Sequence, residues 1–196
     1  MNKIFSLLFA LCISITCFSQ NTIYPNGLKV GDIAPQFQSI DNGGKPFNLS
    51  DKLNSGDVVI IFYRGQWCPY CNKQLSGLND SLSLIAAKGA TLVAISPETK
   101  ENVNKTIEKT KATFPIISDS ATAIMKMYKV DFALDETAQI KYKKYGIDLS
   151  EANGNNGANL PVPATYIVGK NGIIKYVFFN PDYKTRCSVQ DLLDHL

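Results

Sequence analysis

Histidine is almost missing from this sequence: the one residue, His195, stands next to the C-terminus. In a fraying terminal helix it is poorly placed to act as a base, so imidazole-driven catalysis is not expected. Arginine is nearly as scarce, with Arg64 and Arg186 alone. Five cysteines are present, but Cys12 and Cys17 fall in the first nineteen residues, leaving Cys68, Cys71 and Cys187. Three are too few to staple a domain, so the core must come from hydrophobic burial, and an odd number leaves at least one thiol without an intramolecular partner. A net charge of +3 with no basic run gives no reason to expect nucleic acid. Beyond the leader, no apolar run reaches the roughly 20 residues of a membrane span. There is no glycine-rich phosphate loop. Beside the Cys68–Cys71 pair, Cys187 and His195 make no second ligand pair of a zinc site. No metal, nucleotide or other cofactor is therefore expected.

The first nineteen residues have their own logic. Lys3 supplies a positive start, Ile4 to Ile15 is a short apolar run, and Cys17-Phe18-Ser19 puts small residues at both ends of a cleavage triplet. This predicts a secretory signal peptide over 1–19, cut between Ser19 and Gln20, and a periplasmic or secreted protein. Lipoprotein anchoring at Cys17 is the alternative, but Ser14 stands where a leucine-like residue is usual. Residues 20–196 suit one domain with one core, since domains commonly run about 100–200 residues.

Along that domain, Phe37 to Leu49 reads as an N-terminal β-hairpin around Asp41-Asn42-Gly43-Gly44. Val58 to Tyr63 is a continuous apolar, β-branched run, a strand buried on both faces. Leu75, Leu78, Leu82 and Ile85 mark one face of a single helix ended by Gly89. Ala90 to Ser96 is a second buried strand. Ser96-Pro97 is read as the start of a helix running to about Thr110. A short strand at Phe114 to Ile117 and a helix capped by Ser118-Asp119 follow. This βαβαβα order predicts a sheet with helices on both faces. Asp131 to Leu160, basic in its middle and rich in glycine and asparagine near its end, is read as an insertion bordering the active site. Val162 to Val168, the turn Lys170-Asn171-Gly172 and Ile173 to Phe179 form a second hairpin, and Ser188 to Leu196 a terminal helix. No repeat is visible.

The strongest chemical signal lies where the first buried strand meets a helix: Tyr63-Arg64-Gly65-Gln66-Trp67-Cys68-Pro69-Tyr70-Cys71. A thiolate is the reactive form of cysteine, and unpaired N–H groups with the helix dipole stabilise it in a first turn. Pro69 suits that turn because its missing N–H would have had no intrahelical partner. The two-residue spacing lets one sulfur attack a mixed disulfide or sulfenic acid on the other. Arg64 is a candidate for stabilising a thiolate or orienting an oxidant. A structural disulfide here would close too short a loop to stabilise much.

This segment resembles the active site of the thioredoxin superfamily, and its flanks resemble the peroxiredoxin branch, the alkyl hydroperoxide reductase and thiol-specific antioxidant group. Val30-Gly31-Asp32-Ile33-Ala34-Pro35-Gln36-Phe37 is similar to that family's opening segment. Ile95-Ser96-Pro97-Glu98, Phe114 to Asp119 and Tyr128-Lys129-Val130 are similar to its middle. Asp182-Tyr183 with Arg186 resembles the tail of members with a CxxC. The resemblance implies an α/β thioredoxin-like fold with a central mixed sheet. It places Trp67 packed over the thiols and Pro163, in Val162-Pro163-Ala164-Thr165-Tyr166, as a cis-proline beside them, a geometry uncommon elsewhere. Arg186 either anchors the tail or reaches the site, and Cys187 is expected to be an inert, half-buried thiol.

Two departures bear on mechanism. The peroxiredoxin pattern puts Cys71 at the peroxidatic position, with Cys68 replacing its threonine and Arg64 its proline, and leaves the family's later active-site arginine without a clear counterpart. The thioredoxin pattern instead makes Cys68 the attacking thiol and Cys71 the resolving one. The implied activity is a thiol-dependent peroxidase that reduces hydroperoxides and is reset by a thioredoxin-like dithiol protein. A disulfide oxidoreductase and a non-enzymatic redox sensor are the alternatives.

Overall fold

A computed structural model describes residues 23–154, 156 and 158–196; the leader and Cys17 lie outside them. The expected hairpin is present: β1 (Gln38–Ile40) and β2 (Pro46–Asn48) pair antiparallel. The Asn48 side chain accepts from Ser50 N–H and caps a short helix, α1 (Leu49–Ser55), that leads into β3 (Asp57–Phe62).

β3 is the middle strand of the main sheet. Its period of two sends Val58, Ile60 and Phe62 into one buried cluster and Val59 and Ile61 into the other. Both faces are covered, which is why the sequence there is apolar without alternation. The sheet order is β5-β4-β3-β8-β9, with β4 (Ala90–Ser96), β5 (Ile116–Ser118), β8 (Ala164–Val168) and β9 (Ile174–Phe179). β3, β4 and β5 run parallel, whereas β8 and β9 join antiparallel, so the sheet is mixed as expected. One cluster holds Phe47, Phe62, Tyr128 and Tyr166; the other holds Leu75, Leu92, Ile85 and both active-site cysteines.

Several boundaries differ from the sequence reading. The single helix expected to carry Leu75, Leu78, Leu82 and Ile85 is two, α2 (Pro69–Asp80) and α3 (Leu82–Ala87). At Ser81 the N–H turns back to Leu78 O, an i−3 bond that tightens the ladder and interrupts the helix. Gly89 ends the second piece in the left-handed region, at φ +76°. Ser96-Pro97 opens no helix. Ser96 is the last residue of β4, its Oγ accepts from Glu98 N–H, and α4 (Lys100–Thr110) begins only after Thr99, which caps it. α5 (Ala123–Met127) follows, with the Asp119 carboxylate accepting from Met125 N–H.

The 131–160 stretch is more regular than its composition suggests. β6 (Asp131–Ala133) and β7 (Asn159–Pro161) pair antiparallel around α6 (Glu136–Lys144) and α7 (Leu149–Asn153). Asp135 and Asp148 cap the two helices. Leu149, Ala158 and Leu160 make a small core against which Trp67 and Tyr142 pack, which holds the insertion to the dithiol loop. α8 (Val189–Asp194), capped by Ser188, closes the chain with Leu192 buried.

Candidate active site

Beyond β3 the chain runs on beside β4, with Tyr63 N–H donating to Ile95 O, and then turns at Gly65. No larger residue fits there: a Cβ would lie 2.5 Å from Trp67 Nε1 and 2.7 Å from Glu98 Oε1. Cys68 N–H closes the turn on Gly65 O, and Asn72 Nδ2 donates to Gln66 O, tying the loop to α2. Cys68 is thereby the N-cap of α2, Pro69 fills the first helical position, and Cys71 ends the first turn. Both cysteines are free thiols, 1% and 0% exposed respectively.

Arg186, in the loop between β9 and α8, reaches the pair. Its Nη2 lies 3.2 Å from Cys71 Sγ and 3.9 Å from Cys68 Sγ, while Nη1 donates to the carbonyls of Thr185 and Tyr183. Of the two roles open to Arg186, the second therefore holds. Arg64 is buried, and its guanidinium packs on the rings of Tyr183 at 4.3 Å, Trp67 at 5.0 Å and Tyr142 at 5.4 Å. Neither arginine is ion-paired to a carboxylate among the described residues. The negative charge nearest to them is the dithiol's.

That charge is strongly favoured. Burial alone would raise the Cys71 thiol, but the Cys68 S–H, the Arg186 guanidinium and the Arg64 backbone N–H outweigh it and bring Cys71 down to about 6. Cys68 moves the other way, because it donates to Cys71 and is itself buried. The two sulfurs hold one proton between them: the first leaves easily and the second is held far above the ordinary thiol range. The same thiolate charges oppose the fall in Arg64 that burial imposes.

Glu98 is a site residue that sequence reasoning missed. It is fully buried, accepts from Gln66 N–H at 2.8 Å, and receives Thr106 Oγ1–H, which is in turn bonded by the Tyr63 hydroxyl. Burial, opposed by those hydrogen bonds and reinforced by the charge at Cys71, raises its carboxyl to about 8. A single glutamate carries no local pattern; its place just past β4, at the carboxyl end of a central strand, was the available clue. Since its folded pKa lies above the ordinary carboxylate value, its contribution to stability is full below that value and is lost as pH rises through about 8. Glu98→Gln is therefore expected to match the parent's Tm at acid pH and to exceed it at about pH 9. A difference in Tm that does not change with pH would refute this.

A cavity of about 470 Å³ opens above the dithiol. Cys68 lines it, together with Arg64, Trp67, Pro163 and rings from the insertion, whereas Cys71 does not. The arrangement puts Cys68 at the floor of an aromatic chamber, with the readily ionised Cys71 sulfur beneath it.

The AhpC/TSA family profile matches residues 30–177, three quarters of the chain, including the dithiol loop and most of the cavity wall. The chain belongs to the AhpC/TSA family. It is 29% identical over 161 residues to chloroplastic peroxiredoxin Q of Sedum lineare, covering 82% of this chain and 74% of that one. It is 23% identical over 197 residues to the thiol-disulfide oxidoreductase ResA of Geobacillus thermodenitrificans, covering 100% and 92%. Among solved structures, peroxidoxin BcpB from Mycobacterium tuberculosis superposes with a TM-score of 0.63 at 23% identity, over 78% of this chain and 86% of that one. The fold is thioredoxin-like, and the protein is a peroxiredoxin-like member of that superfamily.

Against the AhpC/TSA pattern, one expectation needs correction. Pro163 is not cis: no peptide bond among the described residues is. Val162 N–H, between β7 and β8, donates to Val130 O. Pro163 keeps its place beside the thiols as part of the cavity wall. Arg186, outside the stretch that the family profile matches, comes back to the sulfurs from the tail. Cys187 is buried rather than half-buried. Its Sγ lies 3.5 Å from the Tyr176 hydroxyl and 3.6 Å from Asp191, and burial first, then Asp191, pushes it up to about 11. His195 stacks on Tyr176 at 4.2 Å and bonds the Asp191 carbonyl.

Proposed function

We propose that this protein reduces hydroperoxides through Cys68 and Cys71, with Cys68 as the attacking sulfur. The observation that carries this reading is Cys68 at the floor of the cavity, sharing one proton with a buried Cys71 under Arg186. The proton passes to Cys71, and the Cys68 thiolate attacks the terminal peroxide oxygen. An S–O bond forms as the O–O bond breaks, and the alkoxide leaves as alcohol by taking the proton held on Cys71, which returns that sulfur to its thiolate. The Cys71 sulfur then displaces hydroxide from the sulfenic acid, giving the internal disulfide, and solvent protonates the hydroxide. An external dithiol protein returns two electrons by thiol–disulfide exchange. In this step the Cys71 S–H supplies a hydrogen bond to the Cys68 thiolate, and Arg186 supplies the positive charge.

Thiol–disulfide exchange on protein substrates is the second reading. The full-length similarity to ResA favours it, as does a CxxC whose first sulfur meets the cavity. One pulse separates the two. Fully reduced protein given one equivalent of organic hydroperoxide is expected to lose both dithiol sulfhydryls within seconds, forming a disulfide and leaving Cys187 free. Inertness to peroxide, with rapid reduction of insulin, would reverse the order of the readings.

Export is part of the proposal and rests on the sequence of the leader. Protein recovered from the producing cell is expected to begin at Gln20. Recovery of the chain still beginning at Met1 would refute it.

A further inference from the structure

Peroxide reduction requires room for two oxygen atoms, yet the chamber over Cys68 measures about 470 Å³. A water molecule's share of liquid volume is about 30 Å³, and chambers of this size ordinarily enclose a whole organic ligand. The walls state what kind. Rings of Trp67, Phe132, Tyr142 and Tyr183 present apolar faces, and the charged residues among the lining groups are Arg64 and Lys141. No aspartate or glutamate lines the chamber.

The positive charge is also under-used. Lys141 is exposed and in no ion pair among the described residues. Arg64, 3% exposed, leaves its Nε without a hydrogen-bond partner. A buried donor without an acceptor is costly. A thiolate accounts for one negative charge at the floor, beside Arg64. It does not account for Lys141, which α6 places on the wall.

We infer that the chamber selects an anionic organic hydroperoxide, with an aromatic or alkyl body among the rings and a carboxylate held at Lys141. The inference rests on the peroxidase reading and adds the substrate class. It also gives the insertion a task, since Lys141 and Tyr142 both come from α6. With the hydroperoxide group at Cys68, the body lies along the ring-lined wall and the acid faces the cationic side.

A matched pair of substrates tests the charge alone: cumene hydroperoxide and its 4-carboxylate, assayed in the intact protein with a dithiol reductant. The expected result is a kcat/KM about tenfold higher for the carboxylate, the scale of one charge-assisted hydrogen bond in an open site. Lys141→Gln is expected to bring the ratio near one, and added salt to shrink it in the parent. Equal rates on the two substrates would overturn the inference while leaving peroxide reduction intact. A preference that survives in Lys141→Gln would overturn the assignment of the carboxylate site. If neither peroxide is turned over, the function reading fails, and the chamber is still tested by binding. Trp67 is the chain's one tryptophan, so its fluorescence reports occupancy directly. 4-Isopropylbenzoate is expected to shift it at concentrations about tenfold lower than 4-isopropylbenzamide; equal titrations would overturn the inference on that route too.

Discussion

Replacing Cys68 with serine is expected to abolish peroxide turnover, whereas the Cys71→Ser protein reacts once and stops as a sulfenic acid that a dimedone-type probe captures. The loss in Cys68→Ser should be on the order of a thousandfold or more, the scale of deleting a nucleophile. The reasoning turns on access rather than charge. The two sulfurs share a proton, so the negative charge is available to either, and the thiol that is easier to ionise is not thereby the one that strikes. Cys71 is sealed beneath α2 and the sheet, while Cys68 lines the chamber. An in-line attack on an O–O bond needs the peroxide's terminal oxygen against the sulfur, and of the two cysteines only Cys68 lines the chamber. The peroxiredoxin register points the other way, since it aligns Cys71 with the peroxidatic position. Capture of sulfenic acid in Cys68→Ser, with none in Cys71→Ser, would therefore restore that register and require α2 to unwind before reaction.

What the sequence disclosed, and what it hid, follows from how local each signal is. β3 and β4 were legible because strands buried on both faces must be apolar throughout, and that shows in a run of six or seven letters. The dithiol was legible because thiols two residues apart at a strand–helix junction have a short menu of uses. α4 was misread at its start because Ser96-Pro97 has the composition of a helix entry, while sheet pairing keeps Ser96 in β4 and leaves the capping to Thr99. The strands of the insertion were not legible because they have three residues each and pair only with each other. Glu98 and Arg186 were the hardest. Glu98 sits under the loop because β4 ends there, and Arg186 lies 115 positions from the sulfur it approaches. Neither position carries a periodic pattern, so the tertiary fold alone assigns them. Pro163 is the reverse case: it lines the same cavity as Cys68, and its peptide is not the expected cis one.

Arg186→Gln is expected to slow reaction with peroxide at pH 7 by roughly thirtyfold and to shift the pH profile rather than scale it. In the parent, Cys71 is held at about 6 against the opposing effect of burial, with the Cys68 hydrogen bond and then the Arg186 charge as the leading causes. With a first ionisation near 6 the dithiol is about nine-tenths anionic at neutral pH; an ordinary thiol near 8.5 is a few per cent anionic. Removing the guanidinium 3.2 Å from the sulfur should return the pair toward the second situation. The deficit should therefore shrink as pH rises to about 9, where both proteins are ionised. The reduced protein's stability should follow the same linkage. A depressed folded pKa contributes stability that is present above the unfolded thiol value and is lost as pH falls through about 6. The parent should accordingly lose stability relative to Arg186→Gln on acidification across that interval. Arg186→Lys should recover part of the rate, since a point charge replaces the fork without its bonds to the Thr185 and Tyr183 carbonyls. The decisive measurement is the second-order rate constant with one hydroperoxide from about pH 5 to 9.5, beside iodoacetamide alkylation of the same proteins. If the ratio of parent to variant stays flat across that range while alkylation profiles coincide, Arg186 acts on the bound peroxide and not on the thiolate. A ratio that falls with pH in step with the alkylation profiles assigns it to the sulfur pair.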